Sequence, residues 1–220
     1  MAGCAKQTLS GSSPIVANDT LYKTYLALGD SYTIGQSVAV ADRFPAQVKT
    51  MLLNDSIQFL TPEYIAATGW TTRNLLNRLN SDPPTRSTYD FVSLLIGVNN
   101  QYQGRSQAEY NSEFTNLLNT AIRYAGNRPS RVAVLSIPDW SVTPFANGLD
   151  TVLIRRQIDS FNVINKQITL SYGVHYINIT PSTRMALTDR SLLATDGLHP
   201  SGKEYKKWGT LLAAFIKSVL

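Results

Sequence analysis

One serine, one histidine and a nearby aspartate define the chemistry this sequence can do. Ser31 stands in Gly29-Asp30-Ser31-Tyr32, where a short apolar run ends. A serine hydroxyl is a poor nucleophile until a base takes its proton. The chain has two histidines, His175 and His199, so an imidazole base has two candidates. His199 lies in Asp196-Gly197-Leu198-His199-Pro200. Asp196, three residues earlier, can curl back to hold the second ring nitrogen. A developing oxyanion then needs donors. Thr68-Gly69-Trp70-Thr71-Thr72 offers the Gly69 N–H, and Gly97-Val98-Asn99-Asn100 offers the Asn99 amide. Ser31 offers its own N–H. These are the parts for acyl transfer through a covalent intermediate, and a histidine base predicts that kcat/KM rises from acid toward neutral pH.

Each residue has an ordinary structural role beside the chemical one. Ser31 can cap a helix. Asp30 can brace its turn by accepting backbone N–H groups. Gly69 can serve as a turn glycine, and Asn99 or Asn100 as a left-handed turn residue. Asp139 is a second candidate acid; its competitor Asp196 has the better spacing to His199. His175 falls near the start of a strand, away from polar motifs, and reads as a partly buried structural histidine. Trp70, Trp140 and Phe145 follow strand ends and, with Tyr32 and Asn100, are candidates for lining a substrate pocket; ordinary core packing is the alternative.

The elements that must position this set alternate regularly. Apolar runs at 25–28, 59–67, 91–96, 132–137 and 174–179 read as strands. Pro62 puts the second on an edge or breaks it. Apolar residues recur at helical spacing over 43–53, 71–79, 107–124, 153–171 and 202–219. Such alternation predicts an α/β fold whose five-stranded, mainly parallel sheet is covered by helices on both faces. In open sheets of this kind, sites form beyond the carboxyl ends of the strands, which is where the unusual residues fall.

With those turns placed, the chain resembles an SGNH hydrolase of the GDSL family. Ser31 in Gly29-Asp30-Ser31 matches the first block, Gly69 the second, Asn99 in Gly97-Val98-Asn99 the third, and Asp196 with His199 the last. The four blocks stand in the family's order over residues 29–200. The resemblance implies a three-layer α/β/α sandwich of flavodoxin-like type. It implies a triad of Ser31, His199 and Asp196, an oxyanion hole from Ser31, Gly69 and Asn99, and ester hydrolysis without a metal or cofactor. The substrate would be a small-molecule ester, a lipid or an acylated sugar. Two positions depart from the pattern: Tyr32 replaces the leucine of the family name, and Asn100 replaces the usual aspartate of the third block. Competing functions are an acyltransferase on the same fold, a catalytically inactive glycan-binding domain and a flavin-binding module. The last is disfavoured, because Asp30 would sit where a phosphate belongs.

Composition excludes several other classes. In 220 residues, 43% are hydrophobic and 16% charged, which fits neither a disordered chain, collagen nor a coiled coil. The single cysteine, Cys4, leaves no internal disulfide and no cysteine-based zinc site. The net charge of +5 is scattered. Lys203, Lys206 and Lys207 share one solvated helix face and do not form a nucleic-acid stripe. Residues 1–20 read as a flexible tether before a domain over 21–220. Ala2-Gly3-Cys4 resembles the end of a bacterial lipoprotein signal. That likeness implies lipidation of Cys4, a membrane tether and a place in the bacterial cell envelope; a secreted protein and a cytoplasmic one are the alternatives.

Overall fold

Two runs that are apolar on both faces form the centre of the sheet. β1 (Tyr25–Asp30) and β3 (Phe91–Leu95) are buried along their whole length, as strands covered on both sides must be. They pair in parallel, with Leu28 opposite Leu94. β2 (Glu63–Ala67) pairs with the other side of β1, and β4 (Val132–Leu135) and β5 (His175–Ile177) continue beyond β3. The order is β2-β1-β3-β4-β5 and every pairing is parallel. This is a computed structural model, and it describes residues 22–220. The tether at 1–20 and Cys4 lie outside the described residues.

The crossover connections between the parallel strands distribute the helices over two layers. α2 (Phe44–Asn54) packs on α8 (Gly202–Val219), while α3 (Thr72–Ser81), α5 (Gln107–Tyr124) and α6 (Thr151–Ser171) pack in succession as the other layer. The result is the three-layer α/β/α sandwich. On α8 the buried stripe is Tyr205, Trp208, Leu212 and Ile216, with the Trp208 ring centroid 6.1 Å from that of Phe44 on α2. Burying each such side chain stabilises the fold by roughly 1.5–3 kcal/mol. No helix among the described residues is long and apolar enough to cross a membrane.

Strand ends differ from the sequence reading for local reasons. β1 runs two residues further, through Gly29 opposite Leu95 and Asp30 opposite Ala67. A Cβ at Gly29 would stand 2.4 Å from the Leu95 carbonyl oxygen and 2.1 Å from Thr33 Oγ1, so only glycine fits there. β4 stops at Leu135 because side chains take over its ladder: Ile137 N–H donates to Asn162 Oδ1 at 2.8 Å. β5 is cut to three residues in the same way, with Ile179 N–H donating to Ser136 Oγ at 2.8 Å. β2 begins directly after Pro62 and is an edge strand. Three short helices lie at the carboxyl edge of the sheet: α1 (Ser31–Ile34), α4 (Val98–Tyr102) and α7 (Thr180–Arg184). Four or five residues are too few to show a helical period.

Candidate active site

The site starts at the switch point of the sheet, where β1 sends the chain one way and β3 the other. Ser31 follows β1 directly and opens α1. Its N–H is in the first turn, where no intrahelical acceptor exists. Asp30 caps that turn, its Oδ1 accepting the Tyr32 N–H at 3.0 Å. Burial pushes the Asp30 carboxyl up to about 7, against the pull of the Tyr32 N–H and the Asn99 amide.

The loop bearing His199 is built around one carboxylate. Asp196 Oδ1 accepts the N–H groups of Leu198 and His199, both at 2.9 Å. Its Oδ2 accepts Ser37 Oγ at 2.7 Å and lies 2.6 Å from His199 Nδ1. Burial pushes the Asp196 carboxyl up, but these four donors outweigh it and hold it at about 2. An ionised carboxylate only accepts, so the Nδ1 proton faces Asp196; in the neutral ring that tautomer leaves the lone pair on Nε2. The His199 side chain is 5% exposed, and the Tyr32 ring packs against it at 4.9 Å between centroids. No hydrogen bond between Ser31 Oγ and His199 occurs among the described residues. Catalytic hydrogen bonds are often long before substrate binds.

The remaining donors come from the ends of β2 and β3. Gly69 has φ +78°, a conformation that favours glycine, although a Cβ there would meet no atom within 4 Å. Asn99 sits in α4, and its Nδ2 donates to the Trp70 carbonyl at 3.0 Å. Its other contact, to Asp30 Oδ2, is 3.5 Å, long for a hydrogen bond. One amide proton of Asn99 is thus held only weakly.

Ser31, Tyr32, Gly69, Asn99, Trp140, Phe145 and His199 line one open cleft, whose space with the solvent at its mouth is about 560 Å³. Gln36, Thr68, Val98, Tyr102 and Leu198 complete its wall. Three rings form a triangle on one side, with centroid separations of 5.5 Å for Tyr102–Trp140, 6.0 Å for Tyr102–Phe145 and 5.9 Å for Trp140–Phe145. Trp140 is fixed by Nε1 donating to Gln101 Oε1 at 2.7 Å, and Gln101 by its amide donating to Gln157 at 2.8 Å.

Two candidates for the pocket do not reach it. Trp70 is half-buried against the core beside α3. Asn100 is fully buried: one position past Asn99 on a helix is about 100° around the axis, which aims it at Thr72. Asp139, the rival acid, is committed elsewhere: it caps Ser141 and accepts Arg184 Nε at 2.8 Å. His175 is exposed, not partly buried; its ring stacks on Phe215 at 3.8 Å, at the amino end of β5 and so at the opposite edge of the sheet. Sequence reasoning missed Ser37, Gln36 and Tyr102. Ser37 meets Asp196 across 159 residues, and no local spacing signals that.

Several solved structures share this fold. The lipase/acylhydrolase from Enterococcus faecalis matches with a TM-score of 0.66 at 21% identity, over 89% of this chain and 96% of that one. An acetylxylan esterase from Geobacillus stearothermophilus matches at 0.63 and 18%, over 88% and 94%. An alpha/beta hydrolase enzyme from the metagenome of Lake Arreo, Spain, matches at 0.66 and 15%, over 90% and 96%. The comparison with curated proteins gave no match. The model of the GDSL-like lipase/acylhydrolase family matches residues 27–207, nearly the whole of the described fold. The chain therefore belongs to the GDSL-like lipase/acylhydrolase family and is a serine esterase of SGNH type.

Proposed function

We propose that the chain hydrolyses carboxylic or O-acetyl esters through an acyl-enzyme on Ser31, with His199 as general base and Asp196 as the acid that orients it. The observation that carries this reading is the 2.6 Å contact of Asp196 with His199 Nδ1, made by an imidazole that shares a cleft with Ser31. His199 Nε2 takes the Ser31 Oγ proton as Oγ attacks the ester carbonyl. The carbonyl oxygen becomes an oxyanion, met by the Ser31 and Gly69 N–H groups and by Asn99 Nδ2. Collapse expels the alcohol, which leaves with the proton from the imidazolium. Water then repeats the sequence on the acyl-enzyme and releases the acid.

The ring triangle of Tyr102, Trp140 and Phe145 supports an apolar group on the acyl or alcohol side of the ester. That favours a small acyl ester or lipid ester over a fully polar substrate. Kinetics with p-nitrophenyl acetate, butyrate and octanoate test both parts. Wild type turns over all three with kcat/KM rising from acetate to butyrate, and Ser31→Ala loses at least about 10³-fold in kcat. Unchanged turnover in Ser31→Ala sinks the nucleophile assignment. A preference for acetate moves an acetylated sugar, the substrate class in the name of the Geobacillus relative, to the front. Lipidation of Cys4, with anchoring in a bacterial envelope, is a separate proposal supported by Ala2-Gly3-Cys4. The intact mass of protein extracted from its native membrane tests it.

A further inference from the structure

The loops that carry Gly69 and Asn99 are tied together by side chains of α4 and of Gln103, the residue that ends it. Asn99 Nδ2 donates to the Trp70 carbonyl at 3.0 Å, and Gln103 Nε2 to the Gly69 carbonyl at 3.2 Å. The deepest tie is a two-way pair: Thr72 N–H donates to Asn100 Oδ1 at 3.0 Å, and Asn100 Nδ2 donates to Thr72 Oγ1 at 2.7 Å. Asn100 and Thr72 are completely buried. A hydroxyl has one proton to give, and Thr72 gives it to Glu113 Oε2 on α5. Glu113 is also buried; its Oε1 lies 2.6 Å from Arg73 Nη2, an ion-pair contact outside hydrogen-bond geometry. The protons therefore run one way, from the Asn100 amide to the Thr72 hydroxyl to the Glu113 carboxylate.

We infer that Asn100 and Glu113 are a matched pair of positioning residues that set the spacing between the Gly69 N–H and Asn99 Nδ2. The inference rests on the reading of those two groups as oxyanion donors. A carboxylate at 113 requires a donor at 100. An aspartate at 100 would keep the Thr72 N–H on one oxygen, but its other oxygen, in place of the donating amide, would compete with Glu113 for the single Thr72 proton, a costly arrangement of two buried carboxylates around one donor. That explains why this chain has asparagine where the third block of its family usually has aspartate. A glutamine at 113 would close the count again with the direction reversed: its amide donates to Thr72, and Thr72 donates to the aspartate.

The test is kcat, KM and Tm for Asn100→Asp, Glu113→Gln and the double variant, with p-nitrophenyl butyrate. Misplacing a reacting geometry by about 1 Å costs on the order of 100-fold. Asn100→Asp is expected to lose at least about 30-fold in kcat with KM within about twofold. Glu113→Gln alone is expected to lose less kcat than Asn100→Asp, because its amide oxygen can still accept from Thr72. The double variant regains at least about tenfold in kcat over Asn100→Asp. If Asn100→Asp is insoluble, the double variant is read directly, and a soluble, active double carries the same conclusion. Wild-type kcat in Asn100→Asp overturns the inference, as does a double variant no better than the single. Asn99→Ala run alongside separates the failures. Full activity there removes the oxyanion assignment, whereas an impaired Asn99→Ala beside a fully active Asn100→Asp removes only the clamp.

Discussion

Two aspartates flank the cleft, and their surroundings drive them in opposite directions. Asp196 sits in a half-exposed loop where four donors converge on its two oxygens, and it is held at about 2. Asp30 is fully buried at the end of β1 with one good donor and one long one, and burial lifts it to about 7. Donor count decides the difference: four hydrogen bonds outweigh partial desolvation, and one does not outweigh complete desolvation. The acid beside the imidazole is thus charged throughout the working range. The acid beside Ser31 serves the turn, and its protonated form is the one the fold prefers.

Breaking the first environment has the largest effect. Asp196→Ala is expected to lower kcat by about 10³–10⁴-fold, with the fold retained by circular dichroism, since the imidazole loses its orienting partner. Asn99→Ala, which removes the amide next to Asp30, is expected to cost about 10²-fold in kcat. Ser37→Ala takes one of the four donors from Asp196. A titration by NMR should place the Asp196 carboxyl above its wild-type position, and kcat/KM should fall roughly fivefold, the equivalent of one ordinary hydrogen bond.

Asp30→Asn should change kcat least, within about threefold, because the amide oxygen still accepts the Tyr32 N–H. Its mark is on stability. A carboxyl raised in the folded state binds more protons there than in the unfolded chain. Stability from Asp30 therefore falls as pH rises from the ordinary carboxyl value of 3.8 to about 7, and is flat above. Asp196 has the opposite sign: its contribution is present above the ordinary value and is lost as pH falls through about 2. Tm scans against pH should show that Asp30→Asn removes the decline between about 4 and 7 that wild type shows, while Asp196→Asn flattens only the acid limb. An unchanged decline in Asp30→Asn contradicts the first assignment.

Long elements and strand-end motifs were legible because they are local. The 18 residues of α5 show five turns of apolar spacing, and its bounds match the sequence reading at both ends. The turn glycines and polar residues mark the carboxyl ends of β1, β2 and β3 on their own. The side chains that finish the site were not legible. Ser37 is in a left-handed conformation rare for serine, with φ +65°, and it is aimed at a residue far along the chain. Tyr102 was hidden because α4 is only five residues long. Asn100 and Trp70 misled because adjacency in sequence does not give adjacency in the cleft: the helical turn rotates Asn100 away, and Trp70 lies against the core just before the Thr71 cap of α3.

The central claim is that Asp196 and His199 activate Ser31, and a fluorophosphonate probe asks this without assuming a substrate. Intact-mass measurement after treatment should show one adduct on wild type, mapped by peptide sequencing to Ser31. Ser31→Ala should show none, and His199→Ala and Asp196→Ala should label far more slowly. Folded wild type that takes up no probe, or label that persists in Ser31→Ala, would contradict the account.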